Sequence, residues 1–376
     1  MIRLAPVCLF VLNAGLFVLT PAVFAAGTAA PAAAAPQAVR LDRNRLLEFH
    51  TPNGHVLPAR RIDEWESRRQ EILKGFLSIT GPLPGKERAC PLEPETVEEV
   101  DCGLYIRRLI RFSPEPGDRV PVYLLLPKSA LNGKAKARVA LCLHQTHPAG
   151  QKVVVGLGRS TNDEYGVELA NRGWICAAPP YPQLAEYNPN LKALGYQSGV
   201  MKAVWNNQRL LDLIEALPIP GRRPGPVAAI GHSLGGHTAV FTAALDPRVG
   251  VVVSSCGLDS FQDYKGGDLT GWTSDRYMPR LKGLTPDAVP FDFQELVGLL
   301  APRGVFLSAP FGDTNFRWQS VMKIEQAAAP VFELYGARRQ LRVEHPTCSH
   351  LFPPEIRTAA YDFMARALDS LDNHPR

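Results

Sequence analysis

Short apolar segments alternate with helix-periodic segments over most of the chain, and this alternation restricts the possible fold more than any other feature. The predicted strands are Val139–Leu143, Trp174–Ala178, Val227–Ile230, Val249–Ser254, Val305–Ala309 and Leu341–Glu344. The predicted helices are Tyr165–Asn171, Met201–Leu217, Leu234–Leu245, Trp318–Tyr335 and Pro354–Leu368. Strands that alternate with helices build a parallel sheet whose two faces are both covered. The sequence therefore predicts an α/β protein with a mostly parallel central sheet.

Two further regions complete the predicted domain. Ahead of the alternation, helical spacing of apolar residues predicts a helix over Ile62–Ile79. Ile106–Phe112 and Val120–Leu126 are predicted as an antiparallel pair of strands. Leu258–Leu300 interrupts the alternation, and its Gly, Pro, Trp and Tyr residues are typical of an insertion over the carboxyl edge of the sheet. We therefore expect residues 41–376 to form a single domain that carries this insertion or cap segment.

The first 40 residues have the composition of an export signal followed by a linker. Arg3 precedes an apolar stretch, Val7–Leu19, and small residues follow it, an order that predicts a signal peptide over residues 1–26. The apolar stretch is shorter than the roughly 20 residues that a membrane-spanning helix needs. Residues 27–40 are mostly Ala, Pro and Gly and are predicted to be disordered. We therefore expect a secreted or periplasmic protein with no membrane attachment after cleavage.

Charge and cysteine content narrow the classes of function. The net charge is +5 and no cluster of Lys and Arg stands out, so we expect no nucleic-acid-binding face. No spacing of Cys, His or carboxylate residues matches a metal site, and we expect neither a metal nor another cofactor. Cys90 and Cys102 flank an acidic segment and are the expected disulfide pair. Cys142, Cys176 and Cys256 lie in apolar runs, where we expect them to be buried.

The segment Gly231-His232-Ser233-Leu234-Gly235 fits the pattern G-x-S-x-G. In this pattern a sharp strand-to-helix turn holds the serine in a strained conformation, and the glycines keep the neighbouring backbone from clashing. The motif is short enough to occur by chance in an ordinary glycine-rich turn. Here a predicted strand precedes it and a predicted helix follows it directly. We therefore predict that Ser233 is a catalytic nucleophile.

A nucleophilic serine needs a base, which an acid orients. In hydrolases with this elbow the chain order is serine, acid, histidine. His350 lies in the loop between the last predicted strand and the last predicted helix, and we predict that it is the base. His345 lies at the end of that strand and is expected to be structural, whereas His374 is in the polar tail and is expected to be solvated.

Three aspartates compete for the role of the acid. Asp313 follows the predicted strand Val305–Ala309, in a loop at the carboxyl end of the sheet. Asp259 and Asp268 are rivals from the Leu258–Leu300 segment. We favour Asp313 because its strand comes directly before the strand that leads to the histidine.

The oxyanion of the transition state needs hydrogen-bond donors. One is expected to be the backbone N–H of Leu234, which follows the nucleophile. The other is expected in the loop after Val139–Leu143, with Thr146 as the first choice and Gln145 as the second. For substrate binding we expect residues of the inserted segment that offer stacking faces and a charged donor: Trp272, Arg276 and Tyr277.

Five stretches also carry a resemblance to a known family: Leu143-His144-Gln145-Thr146 and residues 173–182, 198–209, 230–237 and 308–316. In these stretches the chain resembles bacterial α/β-hydrolases of the group that includes dienelactone hydrolases and acetyl xylan esterases. The resemblance implies the α/β-hydrolase fold and a Ser–Asp–His triad. Dienelactone hydrolases proper use a cysteine nucleophile. Because this chain has Ser233, the resemblance favours an esterase.

The predicted function is hydrolysis of carboxylic esters through an acyl-enzyme. Export and a composition that is not strongly apolar favour small-molecule or glycan esters, with acyl esters on polysaccharides as the expected class. One alternative is a serine peptidase resembling prolyl oligopeptidase, although the segment ahead of the strands is too short for the propeller of that family. The other alternative is a non-catalytic binding protein on a hydrolase fold. No feature of the sequence determines the oligomeric state.

Overall fold

A nine-stranded sheet forms the centre of the computed structural model, which describes residues 40–158 and 163–373. A short antiparallel hairpin, β1 (Glu48–His50) and β2 (Val56–Pro58), lies outside this sheet. The strands of the sheet are β3 (Glu95–Asp101), β4 (Tyr105–Phe112), β5 (Val120–Pro127), β6 (Val139–Leu143), β7 (Ile175–Ala178), β8 (Val227–His232), β9 (Val249–Ser255), β10 (Gly304–Ser308) and β11 (Leu341–Glu344).

The α-helices of the described residues are α1 (Ile62–Thr80), α2 (Lys128–Leu131), α3 (Tyr165–Asn171), α4 (Gly199–Ala216), α5 (Leu234–Leu245), α6 (Phe293–Leu299), α7 (Trp318–Leu334) and α8 (Pro354–Asn373). In this part of the chain, no helix is both long enough and apolar enough to cross a membrane. The predicted signal peptide and nearly all of the predicted disordered segment lie outside the described residues.

The sheet is parallel from β6 through β11 and antiparallel at its other end. Its strand order is β11-β10-β9-β8-β6-β7-β5-β4-β3. The strand β6 pairs with β7 on one side and with β8 on the other, both in parallel register. The connections therefore leave β6 and β8 in opposite directions, and such a switch point opens a crevice at the carboxyl ends of the two strands. The prediction of an α/β-hydrolase fold with a mostly parallel sheet is confirmed.

Both faces of the central strands are buried, which explains why their sequences read as continuous apolar runs. Successive side chains of a strand point to opposite faces. In β6, Val139, Leu141 and Leu143 belong to one hydrophobic cluster, whereas Ala140 and Cys142 belong to another. The helix α5 is apolar on nearly all sides and almost wholly buried, as expected for a helix enclosed by the protein.

The prediction missed the edge strand β3 and the helix α6. The strand β3 has the sequence ETVEEVD and is exposed along almost its whole length, so no apolar alternation marks it. Charged side chains on an edge strand discourage pairing with other chains. The helix α6 lies within the segment 258–300, which packs into the main core through Leu258, Phe261, Phe291 and Phe293. This segment is therefore part of the folded body of the domain.

The expected disulfide between Cys90 and Cys102 is wrong, because both residues are free thiols. Cys90 lies against the carbonyl of Ser113, after the end of β4, whereas Cys102 follows the last residue of β3. The two cysteines are thus at opposite ends of the β3–β4 hairpin, and a seven-residue strand spans about 23 Å at 3.3 Å per residue. A disulfide needs Cα atoms within about 7 Å of each other. As expected, Cys142, Cys176 and Cys256 are buried.

Candidate active site

Ser233 occupies the sharp turn between β8 and α5 with a positive φ of 53° and ψ of −117°. Such a conformation is strained for a residue with a side chain, and it is the conformation that a nucleophile elbow imposes. The flanking glycines allow the turn to form. A Cβ atom at Gly231 would lie 2.2 Å from the carbonyl carbon of Gly235, and one at Gly235 would lie 1.8 Å from the carbonyl oxygen of Leu143. The elbow and the loop after β6 are therefore in direct backbone contact.

His350 and Asp313 form a hydrogen-bonded pair at the same edge of the sheet. The Nδ1 atom of His350 lies 2.8 Å from Oδ2 of Asp313. The other carboxylate oxygen accepts hydrogen bonds from the backbone N–H groups of Asn315 and Phe316, at 2.8 and 3.1 Å. Burial raises the pKa of Asp313, but the hydrogen bonds from His350 and from the backbone outweigh it and hold the pKa below its usual value. The carboxylate is therefore ionised at neutral pH.

Two loops bring this pair together across 37 residues of sequence. The loop after β10 carries Asp313 and the loop after β11 carries His350. The backbone N–H of Phe311 donates to the carbonyl of Pro346, and that of Gly312 donates to the carbonyl of Cys348, both at 3.0 Å. These bonds continue the parallel pairing of β10 with β11 beyond the strand ends. The geometry of the pair is thus set by the register of the sheet.

His232, directly before Ser233, was not predicted to take part in the site. Its ring lies 4.9 Å from the ring of His350, centroid to centroid, and it stacks on Phe352. Its Nδ1 atom lies 3.1 Å from Oγ of Ser255. Burial and the nearby His350 lower the pKa of His232 to about 3, so its imidazole is neutral at pH 7. His232 therefore links the elbow to the candidate base. In the sequence, its position next to Ser233 in the motif was the feature that could have predicted this.

The predicted oxyanion residues lie on two neighbouring elements. Leu234 is the first residue of α5, where backbone N–H groups have no partner within the helix. His144 orders the loop after β6: its Nδ1–H donates to the carbonyl of Gln145 at 2.8 Å, and Nε2 accepts from the N–H of Tyr181 at 3.0 Å. Burial lowers the pKa of His144 to about 4, in accord with a neutral ring. In this loop Gln145 is buried and Thr146 is exposed.

The three predicted substrate-binding residues have different environments. Tyr277 is half-buried and packs against a small cluster that contains Leu234 and Tyr181. Arg276 is also half-buried, and its Nε–H donates to the carbonyl of Gln183 at 3.1 Å. The structure does not bring Trp272 to the surface of the site. Its side chain is 2% exposed and lies within an aromatic cluster of the core.

The rival residues are engaged elsewhere. Asp259 is buried, accepts a hydrogen bond from the backbone N–H of Arg317, and has a pKa raised to about 6 by burial. Asp268 caps a short turn at Thr270 and is exposed. The Nδ1 atom of His345 contacts the carbonyl of Ala309 at 2.8 Å. The structure therefore pairs His350 with Asp313 and with neither of the other two aspartates.

This combination of sheet, elbow and histidine–carboxylate pair defines the protein as an α/β-hydrolase by fold. The sequence model of a family described as "Alpha/beta hydrolase family" matches residues 189–370. A solved structure titled "Glucuronoyl Esterase from Solibacter usitatus" superposes with a TM-score of 0.69 at 18% sequence identity, and the match covers 88% of this chain and 98% of that chain.

Curated proteins are also similar in sequence. "4-O-methyl-glucuronoyl methylesterase 1" from Sodiomyces alcalophilus is 27% identical over 167 residues, which cover 39% of this chain and 33% of that protein. "Putative hydrolase YtaP" from Bacillus subtilis (strain 168) is 24% identical over 313 residues, which cover 80% of this chain and 100% of that protein. The match thus spans about a third of the first relative and the whole of the second. The resemblance to esterase-like α/β-hydrolases is confirmed.

Proposed function

We propose that this protein is a serine esterase that hydrolyses carboxylic esters through an acyl-enzyme, with Ser233, Asp313 and His350 as its catalytic residues. One observation carries the proposal: a strained serine directly follows β8, and its neighbour His232 lies 4.9 Å, centroid to centroid, from the ring of His350, which is hydrogen-bonded to Asp313. A nucleophile, a base and an acid that orients the base are the parts that acyl transfer requires.

In the proposed reaction, Oγ of Ser233 attacks the ester carbonyl carbon while Nε2 of His350 takes the hydroxyl proton. Asp313 accepts the Nδ1–H of His350 and stabilises the imidazolium that forms. The bond to the alcohol oxygen then breaks, and His350 donates its proton to the departing alkoxide. Water attacks the acyl-enzyme in the second half of the reaction, with His350 again as the base, and the carboxylic acid leaves.

The negative charge of the tetrahedral intermediate is stabilised at the crevice between β6 and β8. The N–H of Leu234 lies at the amino end of α5, where the helix dipole favours negative charge. The second donor comes from the loop after β6, from Thr146 or Gln145. Close contact between Gly235 and Leu143 supports this assignment because it holds the loop next to the elbow.

The proposed substrates are ester groups on polysaccharides. The names of the relatives, a methylesterase of 4-O-methyl-glucuronoyl groups and a glucuronoyl esterase, support this class. Arg276 and Tyr277 are half-buried side chains, and Tyr277 packs in the same small cluster as Leu234. A guanidinium and a phenol can bind the carboxylate and hydroxyl groups of a sugar acid. The predicted signal peptide would place such an enzyme in the periplasm or outside the cell, with its substrates.

The first test is covalent labelling with a fluorophosphonate probe, combined with ester hydrolysis. The Ser233→Ala variant should lose both labelling and the hydrolysis of p-nitrophenyl acetate while its melting temperature stays unchanged. Ser67→Ala, a change on the exposed face of α1, is the matched control and should behave as the unaltered protein. Wild-type turnover by Ser233→Ala would exclude Ser233 as the nucleophile.

The second test compares substrates for the unaltered protein. Methyl esters of glucuronic acid and acetylated xylan should be hydrolysed, and prolyl peptides should not. Preference for the peptides would favour the peptidase alternative. Absence of both labelling and hydrolysis would favour a binding protein on a hydrolase fold.

A further inference from the structure

A third side chain accompanies Asp313 and His350 at the edge of the sheet. Ligand atoms of Cys256, Asp313 and His350 all lie within 4.8 Å of one another. Cys256 directly follows β9, so the three side chains come from the ends of three adjacent strands, β9, β10 and β11. A thiol, a carboxylate and an imidazole are the three protein groups that zinc prefers as ligands.

The backbone holds Cys256 in a specific orientation. Its φ is +49°, an uncommon value for a residue with a side chain, and its N–H donates to the carbonyl of Ser308 at 2.8 Å. The thiol lies 3.5 Å from the carbonyl oxygen of Leu351, next to His350, and within 4.8 Å of the ligand atoms of Asp313 and His350. Ester hydrolysis as proposed above uses no group of Cys256, so the reaction does not account for the thiol at this position.

We propose that Cys256, Asp313 and His350 form a binding site for one thiophilic divalent cation, with Zn²⁺ as the representative ion. Zinc binds sulfur at about 2.3 Å and imidazole nitrogen or carboxylate oxygen at about 2.0–2.2 Å. Two ligands of a tetrahedral ion are therefore about 3.6 Å apart. The three ligand atoms lie within 4.8 Å of one another, so side-chain movements of roughly 1 Å would bring them to this spacing. The half-buried side chain of His350 opens the site to solvent, so a water molecule can complete the tetrahedron.

Binding releases one proton. The buried thiol of Cys256 is protonated at neutral pH because burial and Asp313 raise its pKa, and it binds the ion as a thiolate. Asp313 binds as the carboxylate that it already is. A neutral imidazole of His350 binds through Nδ1 once its proton has moved to Nε2, so the ring gains and loses no net proton. The ion thus replaces the hydrogen bond between His350 and Asp313.

If the proposed function is correct, an ion bound at this site should inhibit ester hydrolysis. With the ion bound, Nε2 of His350 carries a proton and cannot accept one from Ser233. Zinc is therefore expected to be a reversible inhibitor of ester hydrolysis, and EDTA is expected to restore activity. Because the metal takes no part in the reaction, EDTA alone should not lower the activity of the metal-free enzyme.

The experiment measures metal binding directly, in the Ser233→Ala variant of the full chain, so that its outcome does not depend on activity. Zn²⁺ binding is followed by competition with a chromogenic chelator, and Cd²⁺ binding by the ultraviolet absorbance of the cadmium–thiolate bond. One ion should bind per chain. Adding Cys256→Ser should weaken Zn²⁺ binding by about tenfold or more, since a hydroxyl is a poor ligand for a thiophilic ion. The cadmium–thiolate absorbance should disappear.

Cys348→Ser is the matched control. Cys348 is half-buried in the same loop as His350, but it is not one of the three grouped ligands, so this variant should keep both Zn²⁺ affinity and cadmium–thiolate absorbance. Thermal melting confirms that each variant is folded, and Cys256→Ala replaces Cys256→Ser if the serine variant is not. Unchanged affinity in the folded Cys256 variant, or loss of the absorbance with Cys348→Ser, would overturn the site. Metal binding without inhibition would leave the site intact and contradict the proposed catalytic role of His350.

Discussion

The candidate triad and an ion network around Lys202 are both clusters of polar side chains, but they differ in exposure and in how completely they are paired. The side chain of His350 is 29% exposed, whereas that of Lys202 is 0% exposed. The ammonium of Lys202 contacts Glu115 at 2.5 Å, Asp118 at 2.6 Å and Asn206 at 2.8 Å. These three acceptors match its three N–H donors. His350, in contrast, uses one ring nitrogen for Asp313, and its ring is partly exposed.

This difference in exposure and pairing indicates a different role for each cluster. The hydroxyl of Tyr196 donates to Glu115 at 2.9 Å and that of Tyr187 donates to Asp118 at 2.6 Å. The network thus ties the loop after β7 to the turn between β4 and β5, and its pairing stabilises one arrangement of the chain. A charge that is buried and fully paired is poorly placed to react. The proposed proton transfer instead requires a base that Asp313 holds through one ring nitrogen and that can take a proton at the other.

The largest effect is expected from a substitution that breaks the candidate triad. Asp313→Asn should lower kcat for p-nitrophenyl acetate on the order of 10⁴-fold, because His350 loses the acceptor that sets its tautomer and orientation. Asp268→Asn alters an exposed aspartate outside the pair and should leave kcat within about twofold. Steady-state kinetics measure both. A larger loss with Asp268→Asn would move the acid into the 258–300 segment.

The ion network should respond through stability instead. Lys202→Met removes the ammonium between Glu115 and Asp118, leaves only Arg88 as a cation beside Glu115, and should lower the free energy of unfolding by about 3–5 kcal/mol. Lys192→Met alters an exposed lysine and should change it by less than about 0.5 kcal/mol. Urea denaturation provides the measurement. Equal unfolding free energies for the two variants would show that the network does not stabilise the fold.

Acid should affect the surroundings of the triad through buried neutral imidazoles. Burial lowers the pKa of His144 to about 4 and those of His232 and His237 to about 3, whereas the unfolded chain has values near 6.5. The unfolded state therefore takes up protons first as the pH falls below about 6.5, and stability falls by up to about 1.4 kcal/mol per pH unit for each histidine. The stability is fully present above that pH.

This pH dependence can be tested with one variant. His237→Leu removes one of the three imidazoles, so the part of the fall in unfolding free energy that these histidines cause between about pH 7 and about pH 5 should become smaller by about a third. His55→Leu, at an exposed position, is the control and should leave the dependence unchanged. An identical pH dependence in all three proteins would contradict the burial of a neutral His237.

His232 should act as a positioning residue for His350. His232→Ala removes the ring that packs against His350 and should lower kcat about ten- to a hundredfold with little change in KM, because the base is less well oriented. His232→Asn keeps a polar atom near Oγ of Ser255 and should recover part of the loss. A loss confined to KM, or no recovery with asparagine, would remove His232 from this role.

The smallest effect concerns substrate choice. Tyr277→Ala should lower kcat/KM for a bulky glucuronoyl ester by about tenfold and that for p-nitrophenyl acetate by less than about twofold, since the small ester reaches few of these contacts. Trp272→Ala should instead lower the free energy of unfolding by about 3–5 kcal/mol, because its side chain is buried in the core. Equal losses on both esters with Tyr277→Ala would place Tyr277 outside substrate recognition.

Local sequence determined the parts of this protein that depend on near neighbours in the chain. The strand and helix periods predicted the central sheet, and the glycines around Ser233 predicted the elbow, because steric limits act over two to four residues. The chain order of the motif also predicted the pairing of Asp313 with His350. The charged strand β3 escaped prediction because edge strands need no apolar face.

Only the tertiary structure decided how closely side chains meet across the ends of different strands, and which further side chains join them. The register between β10 and β11 brings Asp313 and His350 to 2.8 Å, and the neighbouring strand β9 adds Cys256 to the same place. Packing decided that Trp272 is buried and that Cys90 and Cys102 lie at opposite ends of a hairpin. Asp313, His350 and Cys256 are tens of positions apart in the chain, whereas Cys90 and Cys102 are close in the chain but separated by an extended strand. Such contacts depend on sheet order and register, for which short-range sequence patterns carry little information.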